Sequence, residues 1–221
     1  MRSPWAGATL RFIADPAAAL DPAAVPGWPA WSSLDAVLAR PAIRGRLGRW
    51  LAPDDDTVEM LDRLASPPQR LVLIPAEEAV DLVRMLAAWI DAPRIGTLIR
   101  RRDIDAVRAA VGENAFVFAE RRAALFGRPG AALLAAVDAV TPMADPFDPA
   151  RLLPRGAAAL GLAIGSIPPG TAARLRLRRP APLWATIVDH CRSDAAASAD
   201  AWTCVRRLIR DQAPVWSTWF S

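Results

Sequence analysis

Prolines divide this chain into short lengths. Twenty-one of them stand among 221 residues, and between them apolar side chains recur at three- and four-residue spacing rather than in strict alternation. Proline has no amide hydrogen and crowds the preceding turn, so each one in such a pattern starts, ends or bends a helix. The expected fold is all-α: a compact multi-helix globular protein with an irregular N-terminal arm.

Residues 1–29 are rich in proline and alanine, with Trp5 and Trp28 as anchors and no sustained helical period, and read as an extended arm. The N-terminal helical part covers 30–140. Ser32 or Ser33 caps a segment carrying Leu34, Val37 and Leu38, and Pro41 opens another through Trp50 and Leu51. Asp54, Asp55 and Asp56 precede Val58, Leu61 and Leu64, where carboxylates favour the positive end of a helix. Beyond Pro67 and Pro68 comes the clearest amphipathic stretch. It has Pro75, Glu77 and Glu78 in its first turn and Val80, Val83, Ala87 and Ile90 on one face. Shorter helices are expected over Ile95 to Arg102, Asp103 to Val111, Glu113 to Phe126 and Pro129 to Val140, with Gly112 and Gly127 as left-handed stops.

Three prolines in Thr141 to Pro149 make that stretch the best internal boundary. The C-terminal helical part, 150–221, is expected to pack on the first as one compact unit. It reads as a helix from Ala150 to Ser166 kinked at Pro154, a turn over Ile167 to Gly170, and closing helices from Trp184 to Arg192 and from Asp194 to Gln212. Ala201, Val205, Leu208 and Ile209 face inward on the last of these. Between Thr171 and Arg179, Leu175 and Leu177 alternate with Arg174, Arg176 and Arg178, which leaves strand and helix both open. Gly161 and Gly165, four residues apart, suit a close helix approach.

Chemistry-bearing groups are scarce: one histidine, two cysteines, no tyrosine and no lysine. That composition is poor in proton carriers, metal ligands and nucleophiles, and the expectation is a protein without enzymatic activity, cofactor or metal. Arginine supplies all 27 basic side chains against 23 acids, a net charge of +4. The sequence pI of 10.6 follows because few groups titrate between the cysteines and the arginines, so it is not a nucleic-acid signal. Cys191 and Cys204 make no secreted disulfide framework. Arg11, Asp15, Pro16 and Pro22 interrupt any signal-peptide core, and no apolar run approaches bilayer length. A cytoplasmic protein is expected.

Asp189, His190 and Cys191 are acid, base and thiol in a row, but neighbours on a helix point in different directions and make no relay by sequence alone. The Asp54–Asp56 run is more often capping and solvated charge than a cation site. Two arginine groups remain, Arg100, Arg101 and Arg102, then Arg174, Arg176, Arg178 and Arg179. No aromatics are interleaved to stack bases, whereas the guanidinium fork suits carboxylates of an acidic protein partner. A basic helical nucleic-acid-binding protein is the alternative. At the C-terminus Trp216, Trp219 and Phe220 have i, i+3, i+4 spacing and share one side of a final turn. They either dock the tail on its own core or, exposed, form a partner hot spot.

Several of these landmarks coincide with a known family. The run Arg11-Phe12-Ile13-Ala14-Asp15-Pro16 through Leu20-Asp21-Pro22, the Leu71 to Phe126 block with "LVLIPAEEAVDLVRMLAAWIDAPRIGTLIRRRDIDAVRAAVG", and "RLLPRGAAALGLAIG" followed by "RLRLRRPAP" together resemble the SctK (YscK-like) proteins of bacterial type III secretion. The resemblance implies an accessory component of the sorting platform beneath the injectisome, at the cytoplasmic face of the inner membrane. It implies an adaptor joining the cytoplasmic domain of the ring protein SctD to the pod protein SctQ. Arg100, Arg101, Arg102, Arg174, Arg176, Arg178, Trp216, Trp219 and Phe220 are the candidate partner-binding residues.

Overall fold

A computed structural model describes residues 5–15, 20–21, 39–43, 46–47, 59, 62–143, 147–212 and 214–220. The expected caps at Ser32 and Ser33, the segment ending at Leu38, the end of the Pro41 segment at Trp50 and Leu51, the Asp54–Asp56 run and Trp28 lie outside the described residues; of the Pro41 segment, 41–43 and 46–47 are described and helical. Among those residues the structure is all-α, and its one β-type pairing is an isolated bridge between Leu20 and Arg178.

The centre is α8, Leu152–Ile164 (helices are numbered here in chain order). Apart from Leu153 and Pro154 all of it is buried, as an alanine-, leucine- and glycine-rich helix with no broad polar face must be. It packs most extensively on α2, Ala76–Ile90, and also touches α7, Ala131–Val140, α10, Ala181–Asp189, and α11, Ala195–Gln212. The approach is close where glycine permits it. A methyl group on Gly156 would run into the carbonyl oxygen of Val83, and one on Gly161 into that of Ile187. Gly165 has a different job from the one its spacing suggests: at φ 75° it ends α8.

The amphipathic stretch after Pro75 forms α2 as expected, but its burial exceeds one stripe. From Leu82 to Ile90 only Arg84 escapes full burial, because α8 covers one side and α5, Glu113–Arg121, another. The helix expected from Ile95 to Arg102 is absent. A single turn, α3 (Ala92–Ile95), stops at Gly96, where the Thr97 hydroxyl donates to Arg94 O at 2.7 Å. Extended backbone at Arg100 then starts α4, Arg101–Val111. The expected Glu113 to Phe126 helix breaks at Arg122 into α5 and α6, Ala123–Phe126. That break seats Phe126 edge-on against Trp89 and Phe118, with ring centroids 5.4 and 5.1 Å apart.

Pro154 makes no kink. A 3-10 turn over Pro149–Arg151, capped by the Asp148 carboxylate accepting from Ala150 N at 3.0 Å, leads into α8. Pro154 then sits in the first helical turn, where an amide N–H has no acceptor to lose. The stretch that allowed strand or helix is helix as far as Arg176: α9 spans Pro169–Arg176 and takes in part of the expected turn, because Pro169 presets helical φ at the first position, and Arg178 beyond it forms the isolated bridge with Leu20. Within 1–29, where an extended arm is expected, Ala6–Ala14 instead form helix α1, with Trp5, Ala8 and Phe12 packed against the core. Further along, Asp21 is tied in by backbone and side chain: its N–H donates to Leu177 O at 2.7 Å and its carboxylate accepts from Ala181 N at 2.9 Å.

One charge network, buried at Arg155 and Asp91 and half-exposed at Asp138, ties three helix ends together. Arg155 on α8 is 2 % exposed. Its Nε meets Asp91 Oδ2 at 2.7 Å, and its Nη1 meets Asp138 Oδ1 at 2.7 Å and Thr141 O at 2.6 Å. Asp91 follows α2 and also accepts from Arg94 at 2.8 Å; Asp138 and Thr141 close α7.

Candidate protein-interaction surfaces

Arg100, Arg101 and Arg102 are all exposed at the start of α4. Arg101 lies 3.7 Å from Asp105 and Arg102 lies 3.3 Å from Asp103, exposed pairs that hold little energy, about 0–1 kcal/mol each. The arginines are joined by a residue that sequence reasoning missed. Ile99 is 92 % exposed, with Leu98 half-buried beside it. In the sequence both look alike, and only the extended turn before α4 shows which of them leaves the core.

Residues 174–178 do not form one surface, since helical geometry turns successive side chains through about 100°. Arg176 points out and pairs with Asp189 on α10 at 2.6 Å. Arg174 is half-buried. Arg178 turns inward: it donates to Val72 O at 2.8 Å and to Ile74 O, and its guanidinium lies 4.8 Å from the centroid of the Trp184 ring. Burial draws its pKa down to about 10, with Glu78 opposing the shift. It holds the end of the 3-10 turn Pro67–Leu73 and is a fold residue, unlike Arg176.

The aromatic tail docks on the body of the protein. Phe220 is buried against Trp202, with centroids 5.8 Å apart. Trp216 and Trp219 are half-buried, their rings 4.4 Å apart and steeply inclined, and Arg70 Nη1 donates to Trp219 O at 2.7 Å. Trp216 and Phe220 then wall one side of a groove of about 490 Å³, floored by Leu82, Met85, Val111 and Ile209. No sequence motif marks this groove, because it is assembled from α2, the α4–α5 junction, α11 and the tail.

The Asp189–His190–Cys191 trio stays apart chemically. Asp189 is engaged by Arg176, and Cys191 Sγ donates to Ile187 O at 3.4 Å. Burial pushes the Cys191 thiol up to about 12 and the Cys204 thiol up to about 11, so both are protonated at neutral pH and neither is a ready nucleophile. Burial, aided by Arg192 and opposed by Asp189, lowers the pKa of His190. Among the described residues no three His, Cys, Asp or Glu side chains gather as metal ligands, and no helix is long and apolar enough to cross a membrane. No protein-family model, curated protein sequence or solved structure matches the chain.

Proposed function

We propose that this protein is a non-enzymatic adaptor of the SctK kind, linking the cytoplasmic domain of the inner-membrane ring protein SctD to the pod protein SctQ in a type III secretion sorting platform. The identity of the system comes from the sequence resemblance, whose blocks run through α1, α2 to α6 and α8 to α9. The observation that carries the adaptor reading is the exposed Ile99 leading into Arg100, Arg101 and Arg102. An exposed apolar side chain followed directly by three guanidinium groups has the composition of an interface hot spot, where arginine is enriched and water is excluded around a central contact. The mechanism is simultaneous binding of two neighbours, with no bond made or broken.

The test is co-purification with the SctD cytoplasmic domain and with SctQ, by size exclusion with light scattering. A discrete complex with either supports the reading, and Ile99→Ser or Arg100→Glu should weaken it. Failure to form any complex at both low and moderate salt overturns the reading.

A further inference from the structure

An arginine-rich corner is assembled by the fold from two distant segments, tied by Arg122–Asp211 and Arg207–Phe126 O. Segments 120–128 and 206–212 contain Arg121, Arg122, Arg128, Arg206, Arg207 and Arg210 but only two carboxylates, Glu120 and Asp211. The surplus of four charges equals the formal net charge of the entire chain, +4. Arg122 Nη2 meets Asp211 Oδ1 at 2.5 Å, and Arg207 Nη1 donates to Phe126 O, so these two stitch the α5–α6 corner to α11. Arg206 and Arg210 lie one turn apart on α11, on the same side of that helix. All six arginines are exposed. Among the described residues, Arg121, Arg128, Arg206 and Arg210 have neither an ion pair nor a side-chain hydrogen bond. Within the corner stands Leu125, 84 % exposed.

We infer that this corner is a docking surface for an acidic amphipathic segment of another protein, with an apolar side chain seated on Leu125 and carboxylates held by the guanidinium forks of the two segments. Charge complementarity sets the sign of the partner, and arginine's planar fork suits carboxylates bidentately. A nucleic-acid strand fits less well. The nearby rings are already engaged: Phe126, half-buried, packs edge-on with Trp89 and Phe118 and lies under Arg122, and Trp202, one turn from Arg206, packs on Phe220. A bilayer fits less well too, since one leucine offers far less apolar area than the two lipid-binding signals that stable anchoring takes. The inference does not depend on the secretion-system reading, and its test uses neither SctD nor SctQ.

The probe is a fluorescein-labelled glutamate-rich peptide of about sixteen residues with one leucine stripe, long enough to form a helix on contact. Two controls are the same peptide with the leucines replaced by serine and a labelled single-stranded oligonucleotide; vesicles containing phosphatidylserine are a third. Fluorescence anisotropy or co-sedimentation with the full chain should rank the leucine-bearing peptide first. The variant Arg121→Glu/Arg128→Glu/Arg206→Glu/Arg210→Glu spares the two arginines that stitch the fold, and should weaken that peptide at least about tenfold with its unfolding midpoint preserved. Leu125→Ser should weaken it several-fold and leave the serine peptide unaffected. Equal binding of both peptides, or peptide binding indifferent to the four-residue variant, overturns the inference. So does tighter binding of the oligonucleotide or the vesicles that the same variant abolishes.

Discussion

Arg155 and Arg206 are the same side chain put to opposite uses. Arg155 is 2 % exposed and meets Asp91, Asp138 and a backbone carbonyl, so that the ends of α2 and α7 are fastened to the start of α8. Arg206 stands exposed on α11 with no such partner among the described residues. A guanidinium taken out of water survives only where its charge and donors are met, whereas an exposed one retains its hydration and its freedom to bind elsewhere. In a chain whose basic residues are all arginine, counting them says little about binding. What matters is which ones the fold has already occupied.

The comparison is broken most directly at Arg155. Arg155→Met should destabilise the protein by up to about 3–5 kcal/mol, because Asp91, 1 % exposed, would lose its buried partner and keep only the half-exposed Arg94. Adding Asp91→Asn should recover part of that loss by removing the carboxylate charge left with Arg94 alone. Urea unfolding measures both, and a loss below about 1 kcal/mol for the single variant would show that the network contributes nothing beyond shape. A smaller effect is expected at Arg178. Arg178→Met leaves the carbonyls of Val72 and Ile74 without their donor, at about 1–3 kcal/mol. Arg178→Lys should restore only part of it, since one ammonium does not reproduce the two-pronged geometry.

The same division decides how much of the structure was legible. The all-α class, α2, the stops at Gly112 and Gly127 and the inward face of α11 follow from local rules: apolar period, proline, and glycine at positive φ. The errors fall where a tertiary contact overrides such a rule. The helix expected through Arg122 breaks, and that residue reaches Asp211, 89 positions away. Leu175 and Leu177 alternate like a strand, yet among the described residues the pairing there is limited to the isolated bridge of Arg178 with Leu20 and the bond from Asp21 N–H to Leu177 O, and Leu175 stays in α9. Of the candidate site, the Arg100–Arg102 run could be read because its members are adjacent, and its apolar anchor Ile99 could not. The corner around Leu125 had no sequence signal at all, since its arginines arrive from segments about 80 residues apart that meet only through α5, α6 and α11. Arg178 reads as a surface candidate and proves to be inward, committed to carbonyls, while Phe220, open between docking and a partner contact, docks on Trp202.

Replacing Arg100, Arg101 and Arg102 together by glutamate sharpens the contrast from the exposed side. Their ion pairs with Asp103 and Asp105 are lost, but three acids at the start of α4 gain from its positive end, about 0.3–1 kcal/mol each at most. The two effects oppose each other, so the unfolding midpoint should move little while any partner complex formed through this surface dissociates. Loss of the fold would instead place these arginines with Arg155.

The smallest effect concerns pH, and it too depends on what the arginines cannot do. Their charge does not change between pH 5 and 8, and with no lysine or tyrosine and with both thiols raised, His190 is the side chain whose ordinary pKa lies in that window. Burial lowers its folded pKa below the usual 6.5, so the unfolded chain binds the proton more readily. That contribution to stability is therefore fully present above the unfolded pKa and declines as pH falls toward the folded one. Unfolding free energies from about pH 8 down to pH 5.5 should show a shallow decline beginning near 6.5, and His190→Gln should flatten it. A slope that persists unchanged in His190→Gln would show that His190 is not its source.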